Sequence, residues 1–159
     1  MKKLIIALLV FLRLIPNSQL KTASIGKASI KVPNGWTIKS TEGDKVILLS
    51  KNGREQSTIS TLNITDEASF VDFETLCKIR IEEERKSFED GFVNAQEPFD
   101  SENTYVMFYS GGDKETGRLF SGCLSLSQNE LITTYVESMG GEPKEHLSSF
   151  KLMVGAISK

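Results

Sequence analysis

The 159-residue sequence holds one histidine, His146, and two cysteines, Cys77 and Cys123. Serine and cysteine hydrolases place a base beside the nucleophile, and a lone His leaves little from which to build one. The cysteines lie 46 positions apart with no second His, which gives no zinc-ligand spacing, and no acidic ladder of the EF-hand kind is present. No cofactor, metal or catalytic residue is therefore expected. Long apolar runs are missing as well: Leu4 to Leu12 spans nine residues, about half of the roughly 20 that a membrane-crossing helix requires. A basic surplus is also absent, since 19 Lys and Arg stand against 21 Asp and Glu. Without clustered cations there is no counterion-release term, so nucleic acid is set aside as a partner.

The short apolar run has its own meaning. Lys2 and Lys3 precede it and Arg13 and Pro16 end it, the outline of a secretory signal peptide over residues 1–24, with Thr22 and Ser24 as the small residues before a cut at Ile25. Removing that leader takes four of the 19 basic residues and no acidic one, leaving a net charge near −6. A periplasmic or extracellular chain without a stable membrane anchor follows, and residues 25–159 form a single domain. In an oxidising compartment the two cysteines leave two readings open: one Cys77–Cys123 disulfide, or two buried thiols.

Ser69 to Phe88 organises the rest. Phe70, Phe73, Cys77, Ile81 and Phe88 recur at helical spacing, Glu84 interrupts the stripe, Ser69 with Asp72 forms a capping-box start, and Gly91 supplies the stop. Before this helix, Ala28 to Val32 reads as a strand turning at Pro33-Asn34-Gly35 toward Trp36. Val46 to Leu49 and Thr58 to Ile64 form a hairpin around Lys51 to Arg54. After it, Phe92 to Gln96, Thr104 to Ser110, Leu119 to Ser127 and Leu131 to Glu137 read as a four-strand antiparallel meander. Its turns fall at Pro98 with Asp100 to Asn103, at Gly111-Gly112-Asp113 with Gly117, and at Gln128-Asn129. Pro143 opens a second helix with Leu147, Phe150, Val154 and Ile157 on its apolar side and His146 on its solvated side. Strands apolar on both faces need cover on both, so the fold class is α+β, an antiparallel sheet sandwiched between helices.

Two stretches carry a resemblance. The strand Ser29 to Val32 running into Pro33-Asn34-Gly35-Trp36, and the ending from Leu131 to Val136 toward Ser149-Phe150-Lys151, resemble the PsbP and Mog1-like fold family, which includes DcrB-like exported bacterial proteins. Members include photosystem accessory proteins, a nuclear-transport cofactor, envelope proteins and adaptors for toxic effectors. The resemblance implies an α/β/α domain that binds proteins rather than an enzyme. Its sharpest form is an immunity or adaptor protein that sequesters an effector or envelope partner.

The residues themselves offer one partner-binding surface, the acidic group Glu82, Glu83, Glu84, Glu89 and Asp90, which also reads as a solvated helix end with Glu82 and Lys86 paired one turn apart. Trp36, Phe70 and Phe73 read as core residues before pocket residues. A periplasmic small-ligand or lipid carrier with a pocket between sheet and helix is the alternative function, and a hydrolase using those carboxylates the last. Gly112 and Gly117 mimic a phosphate loop, but Arg118 and Leu119 stand where Lys and Ser or Thr are needed. Asn63-Ile64-Thr65 matches a glycosylation acceptor.

Overall fold

Period-two patterning becomes strands almost wherever it occurs. The computed structural model describes residues 21–64, 68–88 and 90–158, so the leader up to residue 20, Thr65 of the glycosylation pattern and Glu89 of the acidic group lie outside the described residues. The strands are β1 (Thr22–Ile25), β2 (Ala28–Lys31), β3 (Trp36–Glu42), β4 (Lys45–Ser50), β5 (Glu55–Asn63), β6 (Phe92–Ala95), β7 (Phe99–Ser101), β8 (Thr104–Asp113), β9 (Arg118–Ser127), β10 (Glu130–Met139) and β11 (Ile157–Ser158). Helix α1 (Phe70–Ser87) falls between β5 and β6, and α2 (Pro143–Gly155) between β10 and β11.

The larger sheet runs β3-β4-β5-β10-β9-β8-β6, with β7 also on β8, and every pair in it is antiparallel. The meander forms as the sequence predicts. Its outer edge, however, is built from two collinear pieces, because Phe99–Ser101 inside the polar stretch also pairs with β8. Helix α1 carries the chain from β5 to the far edge at β6. Its start is the capping box: Ser69 Oγ accepts from the Asp72 N–H (3.3 Å) while Asp72 Oδ2 accepts from the Ser69 N–H (2.9 Å).

The simple sandwich between helices does not describe what covers the sheet. A separate three-stranded sheet, β1-β2-β11, shares one buried cluster with α2: Ile25, Ile30 and Val32 pack with Val46, Leu48, Phe150 and Met153. Length supplies the reason. A 13-residue helix is about 20 Å long and roughly 10 Å across, whereas seven neighbouring strands span about 29 Å. A second cluster joins Phe73, Cys77 and Ile81 of α1 to Met107, Tyr109, Phe120 and Leu124. Alternation on β9 separates the two, with Phe120 and Leu124 in one cluster and Cys123 in the other.

Three expectations shift. Ile157 belongs to β11 rather than to the last helix. A cut before Ile25 would remove Thr22, Ala23 and Ser24 from β1, and Ala23 is buried. Gly111 and Gly112 are strand residues and the turn follows at residues 114–117. Glycine sits there for close approach: a Cβ on Gly111 would collide with the Phe92 carbonyl and the Phe120 ring. Gly122 is under the same constraint, since the Tyr109 ring occupies the space of its missing side chain. Replacing Gly122 by Ala should therefore destabilise the fold by about 1–3 kcal/mol through overpacking, read from urea unfolding. A loss below about 0.5 kcal/mol, the range of an indifferent surface change, would show that the ring moves aside freely.

Candidate functional site

A row of small polar side chains crosses one face of the sheet. Asn94 of β6 is paired with Ser110 of β8, and Ser110 with Ser121 of β9, so the three share a face across adjacent strands. The row then passes beneath α2. Ser121 Oγ lies 3.0 Å from His146 Nε2, and Ser138 Oγ of β10 lies 3.0 Å from His146 Nδ1.

This placement corrects the expectation of a solvated histidine: His146 is 5 % exposed. The helix turns a different stripe inward, with His146, Phe150 and Met153 buried while Leu147 and Leu152 face outward. A buried hydroxyl or imidazole without a partner costs about 1–3 kcal/mol, and the three groups satisfy one another. A neutral imidazole has one donor and one acceptor nitrogen, so one serine accepts and the other donates. Burial holds the His146 pKa below its ordinary value, against a smaller opposing effect of a hydrogen bond from the imidazole to the Phe120 backbone carbonyl.

Beside this clasp the sheet is uncovered. Helix α2 packs over β9 and β10, leaving a groove of about 550 Å³ between the helix and the β6–β8 edge. The helix wall is Leu147, Phe150, Lys151 and Val154; the floor includes Phe108, Ser110 and Ser121; Asn94, Ala95 and Gln96 close the edge. Phe108 meets Phe150 edge-on at 6.3 Å between ring centroids. Neither Trp36 nor Phe73 lines this groove, since both are buried in the clusters, and Phe70 stacks edge-on against Tyr105 at 5.2 Å.

The acidic group does not form one surface. Glu82, Glu83 and Asp90 are exposed, but Glu84 is 5 % exposed because it continues the stripe of Cys77 and Ile81 into the core. It pairs with Arg80 one turn earlier at 2.5 Å. Burial raises its pKa, opposed by Arg80. Arg80 Nε also donates to the Tyr109 hydroxyl at 3.0 Å, and its guanidinium lies 5.7 Å from the Tyr135 ring centroid. Arg118 grips Glu137 through two hydrogen bonds of 2.9 and 2.8 Å and covers the Phe88 ring at 4.5 Å. Arg80 on Tyr109 and Tyr135 and Arg118 on Phe88 fasten α1 and its C-cap to the sheet, while the ion pairs leave Glu84 and Glu137 engaged.

The disulfide reading is also corrected. Cys77 and Cys123 are free thiols in the two separate clusters, each with its pKa pushed up to about 12, chiefly by burial. Thiols of that kind are poor nucleophiles. Among the described residues, no three His, Cys, Asp or Glu side chains converge as a metal site, and no helix is long and apolar enough to cross a membrane.

Acid should loosen the clasp. A histidine with a lowered folded pKa contributes stability that is present above its ordinary value of 6.5 and is lost as pH falls through the folded value. The His146→Gln variant keeps a donor and an acceptor but cannot titrate. Urea midpoints followed downward from neutral pH should fall more steeply for the wild type than for the variant; parallel curves would refute the assignment.

No protein-family model matches the chain, and no curated protein matches it. Among solved structures, the solution structure of cyanobacterial PsbP (CyanoP) from Synechocystis sp. PCC 6803 is similar with a TM-score of 0.63 at 14% identity, covering 90% of this chain and 95% of that one. A Bacteroides thetaiotaomicron crystal structure aligns at TM-score 0.41 and 11% identity over 82% of this chain and 44% of that one. A Pseudomonas aeruginosa protein of unknown function aligns at 0.42 and 9% over 87% and 96%. The agreement with cyanobacterial PsbP extends over nearly the whole of both chains, and the fold of this chain is PsbP-like.

Proposed function

We propose that this chain is an exported, non-enzymatic binding module that holds a small amphipathic molecule in the groove between α2 and the β6–β8 edge. The observation that carries the reading is the groove itself: about 550 Å³, with Phe150 and Val154 on its wall, Phe108 and two serine hydroxyls on its floor, and the Asn94 and Gln96 amides at its edge. Ligand sites are typically of about 300–1,000 Å³, mostly apolar with a few placed polar groups. The leader outline, Lys2 and Lys3 before the apolar run Leu4 to Leu12, supports a periplasmic or extracellular setting. The Mog1-like and DcrB-like side of the resemblance supports binding in place of catalysis, as does the engagement of Glu84 and Glu137 by arginines.

Ser110 is exposed on the floor of the groove, so Ser110→Phe should fill it without disturbing the core. Native mass spectrometry of protein recovered from its own exported fraction should show a bound small molecule on the wild type and none on the variant. Equal loading of both would place the ligand elsewhere.

A second reading, a protein partner of the immunity or adaptor kind, is favoured by the outer face of α1. Val71 and Ile79 are 66% and 51% exposed there, on the same helix as the exposed Glu82 and Glu83. An apolar pair with carboxylates beside it suits a basic partner. Charge reversal at Glu82, Glu83 and Asp90 should abolish recovery of a stoichiometric partner in affinity capture, and unchanged recovery would remove this surface from consideration.

A further inference from the structure

We propose that the groove selects a free single-chain amphiphile with one negative charge, a long-chain carboxylate being the simplest case, its head group at Lys151 and its chain along Phe150 and Phe108. The inference rests on the ligand-binding reading above and names the ligand class.

Charge comes first. Among the described residues, Lys151 is the sole charged one lining the groove, and it makes no ion pair with any of them. On a chain with a net charge of −2, an unpaired cation at the mouth of an apolar groove favours an anionic head group, while a cationic one would meet no carboxylate in the walls. Lys151 is exposed, so the bound anion stays in contact with water and avoids the cost of full burial. The Ser110 hydroxyl and the Asn94 and Gln96 amides supply neutral donors on the opposite side.

The apolar part has a continuous track. Phe150 meets Phe108, and Phe108 meets Phe99 of β7 at 6.2 Å between centroids, so three rings lead from the helix to the outer edge. Phe99 is 40% exposed and leaves that end of the track open. A groove of about 550 Å³ suits one chain. An acidic protein is repelled by an anionic bilayer surface, which favours a free amphiphile over a membrane-resident lipid.

Titration calorimetry of the full mature chain with dodecanoate and with dodecyltrimethylammonium, wild type against Lys151→Glu, tests this. The expected result is a swap: the variant binds dodecanoate about tenfold or more weakly, the loss of one rim charge contact, and binds the cationic amphiphile more tightly than the wild type does. Thermal midpoints of the two proteins should coincide, since Lys151 is exposed, and a shifted midpoint would refute its assignment as a free head-group contact. If both amphiphiles bind equally to both proteins, the charge selection is wrong and the ligand-binding groove stands. If neither binds either protein, both readings fail. Tighter association with phosphatidylglycerol vesicles than with dodecanoate would overturn the choice of a free amphiphile.

Discussion

The pairing of β5 with β10 holds the two halves of the chain together. Residues 55–63 and 130–138 form nine consecutive antiparallel pairs, with a sequence separation that no hairpin could supply. Apart from this contact the N-terminal unit β3-β4-β5 would leave β5 unpaired on one side, and the C-terminal meander would leave β10 so. Joining them covers these two inner edges, which would otherwise expose unpaired backbone groups, leaves β3 and the β6–β7 rim as the edges of the sheet, and makes it wide enough to have two buried faces. The long α1 crossover is the consequence, because the chain leaving β5 at the centre must reach β6 at the rim. Its charged residues then serve the same end: Arg80 and Glu84 are held between helix and sheet, against Tyr109 and Tyr135.

The opposite face is covered unevenly, and the groove arises there. Helix α2 is too short to shield every strand; the three-stranded sheet helps over Val46 and Leu48, while β8 and β6 at the other side are left open. The polar row fits this geometry. Asn94 and Ser110 lie where water or a ligand can reach them, and Ser121 and Ser138 lie beneath the helix, where His146 satisfies them. One helical residue thus permits a hydroxyl-bearing strip to run from the exposed rim into a buried layer.

Much of the fold is legible in the residues. The hairpin of Val46 and Ile59, the helix from its Ser69 cap to Phe88, and the turn at Gln128-Asn129 follow from local patterns. The misreadings share a cause, the assumption that hydropathy alone decides which residues go inside. His146 and Glu84 look like solvent residues, yet each sits one helical step from buried neighbours: His146 a turn before Phe150, Glu84 three residues after Ile81. The visible signals were the alternation of small residues at Ser121 and Cys123 on β9, with hydroxyls able to receive an imidazole, and Arg80 one turn before Glu84. Gly111 and Gly112 look like a turn because glycine serves both turns and close approaches, and the rings that require the second use come from residues distant in sequence.

Local patterns were enough for both helices and the long strands of the larger sheet, because strand and helix periodicities, caps and turn residues act within a few positions, whereas the short strands β1, β7 and β11 carried no such signal. The sequence by itself also determined the chain's acidic balance and the poverty of metal-ligating side chains. Long-range packing is what puts Cys77 and Cys123 in separate clusters, joins His146 to two serines, and gathers Phe108, Phe150 and Lys151 around one groove. Those relations depend on strand order and on where a short helix docks, and both are set by packing between residues far apart in the chain.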